Sequence, residues 1–475
     1  MDATTEKLVD YAINVQYDSL SASTVEACKL RILDTLGCVA GGYDHPVSVA
    51  ARTLAARYSM DQPATMLGSR ARVAPEMAAF ANGVMLRVLD LSDMYRVKSG
   101  GHPSDIIAAA LAAAELGDRD GRSLITAIAV GYEVYCSCCE AIDLNSKGWD
   151  QPVYGIVAAV LAASKLLDLD RIQMAHALAL ALVPNMALYQ TRQGELSSWK
   201  GCAAANASRN ALFAVLLAQA GFTGADAPFE GKSGLWNAVG RFEWPVQVGV
   251  PPYRIARTHL KCFPICYHGQ SAVWTALDMR ERFQVEDVAT ICIYTYRTAF
   301  NLMANDPSRW APATHETADH SLPFVVSAAL LDGAVNESCF SQSRLRDPRL
   351  AALMSRTSVC EDELLSMQCP ESSPCRIIVR LKDGSEIIND VRYPKGHDRN
   401  PMSAAEVGDK FKALFGSYGS LLQAERMIAL VDELDRMKDI GELVWGFARR
   451  SRQRGAGYLG GGHPGRAVAG GAKAT

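Results

Sequence analysis

The sequence predicts a mainly α-helical protein with a smaller α+β region set within it. Apolar, alanine-rich segments of helical length fill the first half of the chain, separated by Gly, Asp or Pro. Strand-like residues concentrate after Pro264, and helical patterning returns from Ser403 to about Arg450. We therefore expect one large helical domain made from both chain ends, residues 1–264 and 398–454, and an α+β domain at 265–397.

The helices of the first half are predicted from their periodicity and their end signals. Ser23-Thr24-Val25-Glu26 has the pattern of a capping box, which indicates a helix start. In the last of these helices, Ala203, Ala207, Ala211 and Ala214 recur at helical spacing and form a smooth stripe that lets another helix approach closely. The other predicted helices span 78–89, 105–117, 122–142, 153–168 and 171–183, and this last one spans 199–220.

The second half mixes strands with helices. Residues 289–296 and 355–360 are rich in strand formers, and 376–381 with 385–388 flank the turn Lys382-Asp383-Gly384, the pattern of a hairpin. Further helices are predicted near 270–282, 321–332, 346–354 and 404–415, the last opened by the capping box Ser403-Ala404-Ala405-Glu406. Residues 455–475 are Gly- and Ala-rich without periodicity, so we expect them to be disordered.

Composition excludes several classes of function. The 475 residues are 49% hydrophobic and 21% charged, with a formal net charge of −3, which is typical of soluble globular proteins. We find no basic stripe and no P-loop, so neither nucleic acid nor nucleotide is an expected partner. Met1 to Lys7 are polar and we expect no apolar run to reach the length that spans a bilayer, so we expect a cytoplasmic protein without membrane contact.

Thirteen cysteines are scattered through the chain, mostly in apolar surroundings. Cys136-Ser137-Cys138-Cys139 contains a C-x-x-C spacing and, with Cys202, is compatible with an iron–sulfur cluster. The four residues lie, however, inside the apolar helix predicted at 122–142, where cysteines act as small core hydrophobes. We therefore predict that this cysteine cluster does not bind a metal.

The stretch from Asp93 through Gly100-Gly101 to His102 places a carboxylate, a glycine-loosened cationic loop and a histidine before a helix. Pro103, Ser104 and Asp105 have helix-start chemistry. His102 is therefore expected at a helix N-terminus, where free N–H groups and the helix dipole favour anions. This arrangement suits an enzyme that handles carboxylates.

Three more segments place cations or histidines at helix starts or tight turns. Lys200 lies at the start of the alanine-striped helix, where a positive charge is unfavourable unless an anion compensates it. Lys261, Tyr267 and His268 lie where the helical and α+β regions meet, and ligand clefts favour such junctions. His320 precedes the helix predicted at 321–332.

These segments resemble the MmgE/PrpD family, which includes 2-methylcitrate dehydratase and cis-aconitate decarboxylase. The resemblance covers roughly residues 5–445 and implies a homodimer, an α+β lid over a large helical domain, and an active site in the cleft between them, with no metal or cofactor. The matching stretches are 89–93 with His102-Pro103, 199–206, 222–224, 261–264, 318–323, 328–333 and 400–403.

Carried over position by position, the resemblance implies an active site that binds a small polycarboxylate. His320 is a further candidate at the lid, and Arg96, Tyr267, His268 and Arg192 are candidates for contacts with substrate carboxylates. The catalytic candidates are Asp90, Asp93, His102, Lys200 and Lys261.

Two departures from the family pattern bear on the reaction. Met94 stands where the family commonly has a threonine hydroxyl. Asp150 and Gln270 stand where the decarboxylase branch has histidines, although His268 is a possible substitute for the second. The loss of both histidines favours the dehydratase-like branch or an unassigned member over decarboxylation, and the loss of the hydroxyl is compatible with a change to an epimerase or racemase.

Dehydration of a 3-hydroxy tricarboxylate removes a proton next to a carboxylate and expels hydroxide from the neighbouring carbon. Fixed cations must stabilise the charge that builds on that carboxylate, a role that suits Lys200 and Lys261. We assign Asp93 and His102 as the acid–base pair, with Asp90 as the alternative carboxylate; either member can be the base. Three other readings stay open: an epimerase or racemase of an acidic substrate, a cis-aconitate-type decarboxylase, and a non-catalytic family member.

Overall fold

The structure is a computed structural model that describes residues 1–58, 60–61 and 63–449. Helices make up 57% of it, against about one third in an average soluble protein. The fold is therefore mainly α, as predicted. The segment 455–475, for which we predicted disorder, lies outside the described residues.

Side-chain caps begin several helices of the first half. Asp2, Ser21, Asp120 and Asp170 each accept a main-chain hydrogen bond at the start of a helix. Ser21 caps the second helix, so the start predicted from Ser23 is two residues too late. The helices of this half are Ala3–Asn14, Ala22–Gly41, Pro46–Ala55, Pro75–Arg87, Ile107–Leu116, Gly121–Ala141, Pro152–Leu166, Arg171–Leu182, Ala203–Gln219 and Leu235–Val239.

Helix Gly121–Ala141 corrects one expectation drawn from the sequence. Its 21 residues are long and apolar enough to cross a bilayer, contrary to our reading that no run qualifies. Within the protein, however, 89% of its apolar window is buried, as in the core helix of a soluble protein. Cys136, Cys138 and Cys139 are buried on this helix, and burial raises the pKa of all three thiols. They are protonated core groups.

The alanine-striped helix packs closely against its neighbour. A Cβ atom on Gly83 would lie only 2.9 Å from the Cβ of Ala205, so helices Pro75–Arg87 and Ala203–Gln219 approach at a distance that only small residues permit. The predicted helix 199–220 begins differently, with a short 3₁₀ turn at Ser198–Gly201 that precedes the α-helix. This turn carries Lys200.

A four-stranded sheet forms the centre of the second half. The strands lie in the order Thr357–Glu361, Val288–Thr295, Cys375–Leu381, Glu386–Val391; the first pair is parallel and the other two pairs are antiparallel. The predicted hairpin is the pair Cys375–Leu381 and Glu386–Val391. Around the sheet lie helices Gln270–Met279, Arg297–Met303, His315–Ala318, Leu322–Asp332, Gln342–Leu345, Pro348–Met354 and Glu363–Ser366.

The end of the described chain is helical again, with helices Ala404–Phe415, Leu421–Asp432 and Gly441–Gly446. The predicted capping box forms at Ser403 and Glu406. A Cβ atom on Gly37 would lie 3.3 Å from the Phe411 ring, which shows how closely helix Ala404–Phe415 packs on helix Ala22–Gly41. The last helices thus complete the packing begun by the first ones.

Buried apolar residues form two large clusters in the described part of the chain. One collects residues between Leu8 and Leu260 and between Val407 and Phe447; the other collects residues between Phe263 and Val379. The chain passes between them at two neighbouring points, where the Leu260 N–H donates to the Gly396 carbonyl at 2.9 Å. Gly396 has φ +90°, and a Cβ atom there would collide with the Leu260 oxygen. The domain bounds 1–264 with 398–454, and 265–397, remain a prediction.

Candidate functional site

The loop that follows helix Pro75–Arg87 presents Asp90 and His102. Asp90 has φ +47°, an uncommon value for a residue other than glycine, which costs about 1 kcal/mol and is held by surrounding contacts. Strands Tyr95–Arg96 and Gly100–Gly101 form a short hairpin. Gly101 must be glycine because a Cβ atom would lie 2.2 Å from the Tyr135 hydroxyl. The hairpin returns the chain so that His102 lies beside Asp90.

Lys261 also lies beside Asp90. It belongs to the segment in which the chain leaves the first apolar cluster. Met94 and His259 exchange two main-chain hydrogen bonds, of 2.8 and 2.7 Å, which fix that segment against the loop. Gln270 holds the following residues, since its side chain bonds the main chain of Cys262 and Phe263. Lys261 is 1% exposed, so its ammonium group is committed to interior partners.

Asp90 lies at the centre of a buried ion network. The Lys261 ammonium lies 2.8 Å from its Oδ1, the Lys200 ammonium 3.3 Å from its Oδ2, and Arg87 Nη1 3.1 Å from its Oδ1. Lys200 also lies 2.7 Å from Asp319 Oδ2, so this ammonium bridges two carboxylates. The anion that we expected beside Lys200 is thus supplied by Asp90 and Asp319.

The network moves the protonation equilibria in different directions. Burial acts to raise the pKa of the Asp90 carboxyl, but Lys200, Lys261 and Arg87 outweigh it and lower the pKa well below the usual value. Burial acts to lower the pKa of Lys200, but Asp319 and Asp90 raise it above normal. For Lys261 burial prevails, and its pKa is lowered. Lys200 is therefore a fixed cation, while Lys261 releases a proton more readily.

His102 is held in one tautomer. Its Nδ1 lies 2.6 Å from the main-chain oxygen of Asp93. A carbonyl oxygen can only accept, so Nδ1 carries the hydrogen and the neutral ring has its lone pair on Nε2. Burial, Arg87 and Lys261 lower the pKa of this imidazole well below normal. His102 is thus a neutral base at pH 7, with Nε2 at 4.0 Å from Asp90 Oδ1.

The expected pairing of the Asp93 carboxylate with His102 is corrected by this geometry. The contact runs through the main-chain oxygen, while the carboxylate Oδ1 accepts the Ser104 N–H at 3.1 Å. Asp93 is 1% exposed and does not line the cavity. The helix start at Ser104 has free N–H groups, and these attract the carboxylate away from the ring. Asp93 therefore positions His102, and Asp90 is the carboxylate beside it.

A cavity of about 430 Å³ opens over the network. Its polar lining favours a polyanion, since three aspartates, Asp90, Asp143 and Asp150, face a larger number of cations among the described residues. Asp150 is paired with Arg192 at 3.1 Å. Met94 also lines the cavity, so this position presents a thioether side chain without a hydroxyl. The lysines and arginines of the lining are Arg87, Arg96, Lys98, Arg192, Lys200, Lys261, Arg297 and Arg309.

The candidates for substrate contact all line this cavity. Arg96 donates to Cys369 Sγ at 2.8 Å and lies over the Tyr296 ring. The Tyr267 hydroxyl accepts from Ser373 Oγ at 3.2 Å, and Nδ1 of His268 lies 2.7 Å from the Tyr296 hydroxyl. Burial and Arg96 lower the pKa of His268 well below normal, so that ring is neutral.

His320 differs from the other two cavity histidines because its pKa is raised and theirs are lowered. Its Nδ1 lies 2.5 Å from Asp319 Oδ1. Burial and Lys200 act to lower its pKa, but Cys266 and Asp319 outweigh them and raise it. Asp90, Asp319 and His320 could in principle hold a metal ion between them. The Lys200 ammonium already contacts both carboxylates, so this donor set has a cation of its own.

Sequence reasoning missed three residues of this site: Arg87, Asp319 and Cys266. Arg87 is 2% exposed and contacts both Asp90 and Asp105. One feature of the sequence could have revealed Arg87, because an arginine stands there within the apolar segment predicted at 78–89. Asp319 directly precedes His320, and its signal was a carboxylate next to that histidine before a predicted helix. Gln270, in contrast, acts on the main chain and does not line the cavity.

Comparison with known proteins agrees with the likeness seen in the sequence. The model of the MmgE/PrpD N-terminal domain matches residues 6–245, and that of the MmgE/PrpD C-terminal domain matches residues 263–436. The chain is 26% identical over 478 residues to 2-methylcitrate dehydratase of Escherichia coli K12, covering 91% of this chain and 93% of that protein.

The names of two other relatives cover two different activities, a dehydratase and a decarboxylase. The chain is 25% identical over 471 residues to mitochondrial 2-methylcitrate dehydratase of Yarrowia lipolytica, covering 93% of this chain and 89% of that protein. It is 26% identical over 457 residues to human cis-aconitate decarboxylase, covering 93% of each. With both family models matched over most of its length, the chain belongs to the MmgE/PrpD family.

Proposed function

We propose that the protein is a metal-independent hydro-lyase that dehydrates 2-methylcitrate or a similar branched di- or tricarboxylate. The observation that carries this proposal is the state of His102, a neutral imidazole with hydrogen on Nδ1 and a free lone pair on Nε2, beside the buried lysines of a cationic cavity. A positioned base of this kind contributes roughly a hundred- to ten-thousand-fold to proton transfer. The names of the E. coli and Yarrowia relatives support the choice of substrate.

In this proposal His102 Nε2 removes the proton next to a substrate carboxylate. Negative charge then builds on that carboxylate, and the fixed cations of the cavity stabilise it. Lys200 suits this role because its raised pKa keeps it charged. Asp90 keeps both lysines charged and in place before substrate arrives.

Lys261 is our proposed proton donor to the departing hydroxide. Two of its three N–H groups are used by Asp90, on the carboxylate and the main-chain oxygen, which leaves one for the substrate. Its lowered pKa makes it the better acid of the two lysines. The surroundings of both groups lower their pKa values, so that His102 suits the role of base and Lys261 that of acid.

Decarboxylation has less support from the residues of the site. At position 150 the resemblance places a histidine in the decarboxylase branch, whereas here Asp150 forms an ion pair with Arg192. Gln270 at the second such position does not line the cavity. Identity near 25% to relatives of both names supports the shared polycarboxylate chemistry rather than one reaction.

The proposal is tested by incubating the purified protein with a panel of citrate-like and amino-dicarboxylate acids, with and without a chelator. A conjugated double bond, followed as new ultraviolet absorbance that chelation leaves unchanged, is the expected result. Deuterium wash-in from D₂O without net conversion would identify an epimerase or racemase, and release of CO₂ a decarboxylase. Tight carboxylate binding with none of these signals would identify a non-catalytic member.

A further inference from the structure

Cys266 is a cavity residue to which the proposed dehydration assigns no role. It is 7% exposed and lines the cavity, one residue before the turn Tyr267–Gly269. Its main-chain N–H donates to the Asp319 carbonyl at 3.0 Å. That bond holds the cysteine beside the segment that carries His320, and the side chains of both residues line the cavity.

Asp319 contacts both Lys200 and His320, so these three side chains form a chain of hydrogen-bonded, ionisable groups. Lys200 holds Asp319 as a carboxylate through the 2.7 Å contact to Oδ2. The other carboxylate oxygen, Oδ1, receives Nδ1–H of His320 at 2.5 Å. With Nδ1 committed to a carboxylate, the second ring nitrogen is the one that can take the thiol proton. A base oriented by a third group is the arrangement that activates a nucleophile.

The protonation directions agree with this geometry. Burial acts to raise the pKa of the Cys266 thiol, but the neighbouring His320 outweighs it and lowers the pKa below normal. Other cysteines show the opposite: burial raises the pKa of Cys202 to about 11 and that of Cys375 to about 12. Thiolate character together with access is what makes a cysteine reactive.

We propose that Cys266 is a covalent modification site, at which a thiolate paired with the His320 imidazolium adds to α,β-unsaturated carboxylates bound in the cationic cavity. The inference rests on the proposed function in one respect only, since the product of a dehydration belongs to this class of electrophile. The site would then be modified by an accumulating unsaturated acid.

The addition balances without any further reactant. Sγ of the thiolate forms a bond to the β-carbon, and the π bond of the alkene breaks. Its electron pair moves to the α-carbon, where the adjacent carboxylate delocalises it. The imidazolium of His320 then gives its proton to the α-carbon, which leaves a thioether and a neutral imidazole.

Thiol labelling of the intact full-length protein tests the proposal without turnover. Iodoacetate and iodoacetamide are compared by peptide mapping at Cys266 and, in the same sample, at Cys292, a half-buried cysteine of strand Val288–Thr295 outside the cavity. Because the cavity attracts anions, we expect iodoacetate to be favoured roughly tenfold or more at Cys266 relative to Cys292. Maleate should form an adduct at Cys266, and succinate, which lacks the alkene, should slow it.

A His320→Asn variant separates activation from mere access. Loss of the imidazolium should move the midpoint of Cys266 alkylation to higher pH, whereas a purely structural role of the ring would leave that midpoint unchanged. Absence of a maleate adduct, an unchanged midpoint, or an equal preference for the two alkylating agents at both cysteines would overturn the inference. An adduct in a protein that dehydrates nothing would refute only the proposed function, and dehydration without an adduct only this inference.

Discussion

The ammonium of Lys261 lies 2.8 Å from two oxygens of one residue, the carboxylate Oδ1 and the main-chain carbonyl of Asp90. The main-chain bond holds the lysine even when the carboxylate changes partners. Lys261 follows the point where the chain leaves the first apolar cluster, and Asp90 lies in the loop after helix Pro75–Arg87. The side chain of Lys261 therefore joins two distant segments of the chain at the cavity.

Replacement of Lys261 tests its part in the reaction. Lys261→Met keeps a side chain of similar length but removes the charge, and we expect kcat/KM to fall roughly a hundred- to a thousandfold, as when one stabilising donor is lost. Steady-state kinetics with the best acid of the panel measure this change. Lys412→Met, on the surface of helix Ala404–Phe415, is the control and should leave kcat/KM unchanged. A drop of less than threefold in Lys261→Met would contradict the role.

Replacement of His102 tests the base. His102→Asn should give a folded protein, by circular dichroism, with kcat lowered roughly a hundredfold or more. His176→Asn is a matched control, because His176 lies on helix Arg171–Leu182 and does not line the cavity. Near-normal turnover by His102→Asn would remove this residue from the chemistry.

The two aspartates should behave differently. Asp93→Asn keeps both the main-chain contact to His102 and an oxygen for the Ser104 N–H, so kcat/KM should stay within about tenfold of wild type. Asp90→Asn leaves buried cations short of a carboxylate, and breaking such a pair costs about 3–5 kcal/mol. We expect a lower melting temperature that citrate partly restores. Equal losses of activity with equal stability in both variants would refute the distinction.

The pH profile of kcat/KM follows from two lowered pKa values. The proposed reaction needs neutral His102, whose pKa lies well below the usual 6.5 of histidine, and charged Lys261, whose pKa lies below the usual 10.5 of lysine. Activity should therefore stay level as pH falls through 6.5 and decline only at lower pH, and on the alkaline side it should decline before pH 10.5. An acid limb centred at or above pH 6.5 would be inconsistent with the buried, neutral imidazole.

Asp105 should make stability depend on pH. Burial raises the pKa of this carboxyl to about 7, only partly countered by Arg87. Between the unfolded value near 3.8 and this folded value, the native state keeps a proton that the unfolded chain loses, so the contribution to stability falls as pH rises. Relative to wild type, Asp105→Asn should therefore gain on the order of 2 kcal/mol in unfolding free energy between pH 5 and pH 7. Urea titrations at both pH values measure the difference, and a constant difference would contradict the shift.

Helices and strands were predictable where local chemistry decides them. The capping box at Ser403 and the hairpin after Cys375 form because neighbouring residues supply the caps and the turn. The second helix start was misplaced because Ser21 and Ser23 offer equivalent hydroxyls, and only the packed helix selects between them. The parallel pairing of Val288–Thr295 with Thr357–Glu361 depends on contacts far apart in sequence, which no local pattern encodes.

The sequence predicted which residues belong to the site better than it predicted which of them contact each other. Asp90, His102, Lys200 and Lys261 stand out as polar residues in apolar surroundings, and the structure brings them together. The choice of Asp93 as the carboxylate beside His102 was wrong, because the left-handed turn at Asp90 directs that residue's carboxylate to the cations instead. Arg87 was missed because a helix position gives no sign that its side chain is buried against two aspartates.

The adjacency of Leu260 and Gly396 has a consequence for how such proteins diversify. The segment between Leu260 and Gly396, which carries the four-stranded sheet, begins and ends at neighbouring points. Residues can therefore be gained, lost or exchanged within this segment while the helices outside it keep their packing. Lys261 directly follows Leu260, so it lies where the chain leaves the first apolar cluster. Changes within the strand-bearing segment can thus alter one side of the cavity while Lys261 and its contacts with Asp90 stay in place.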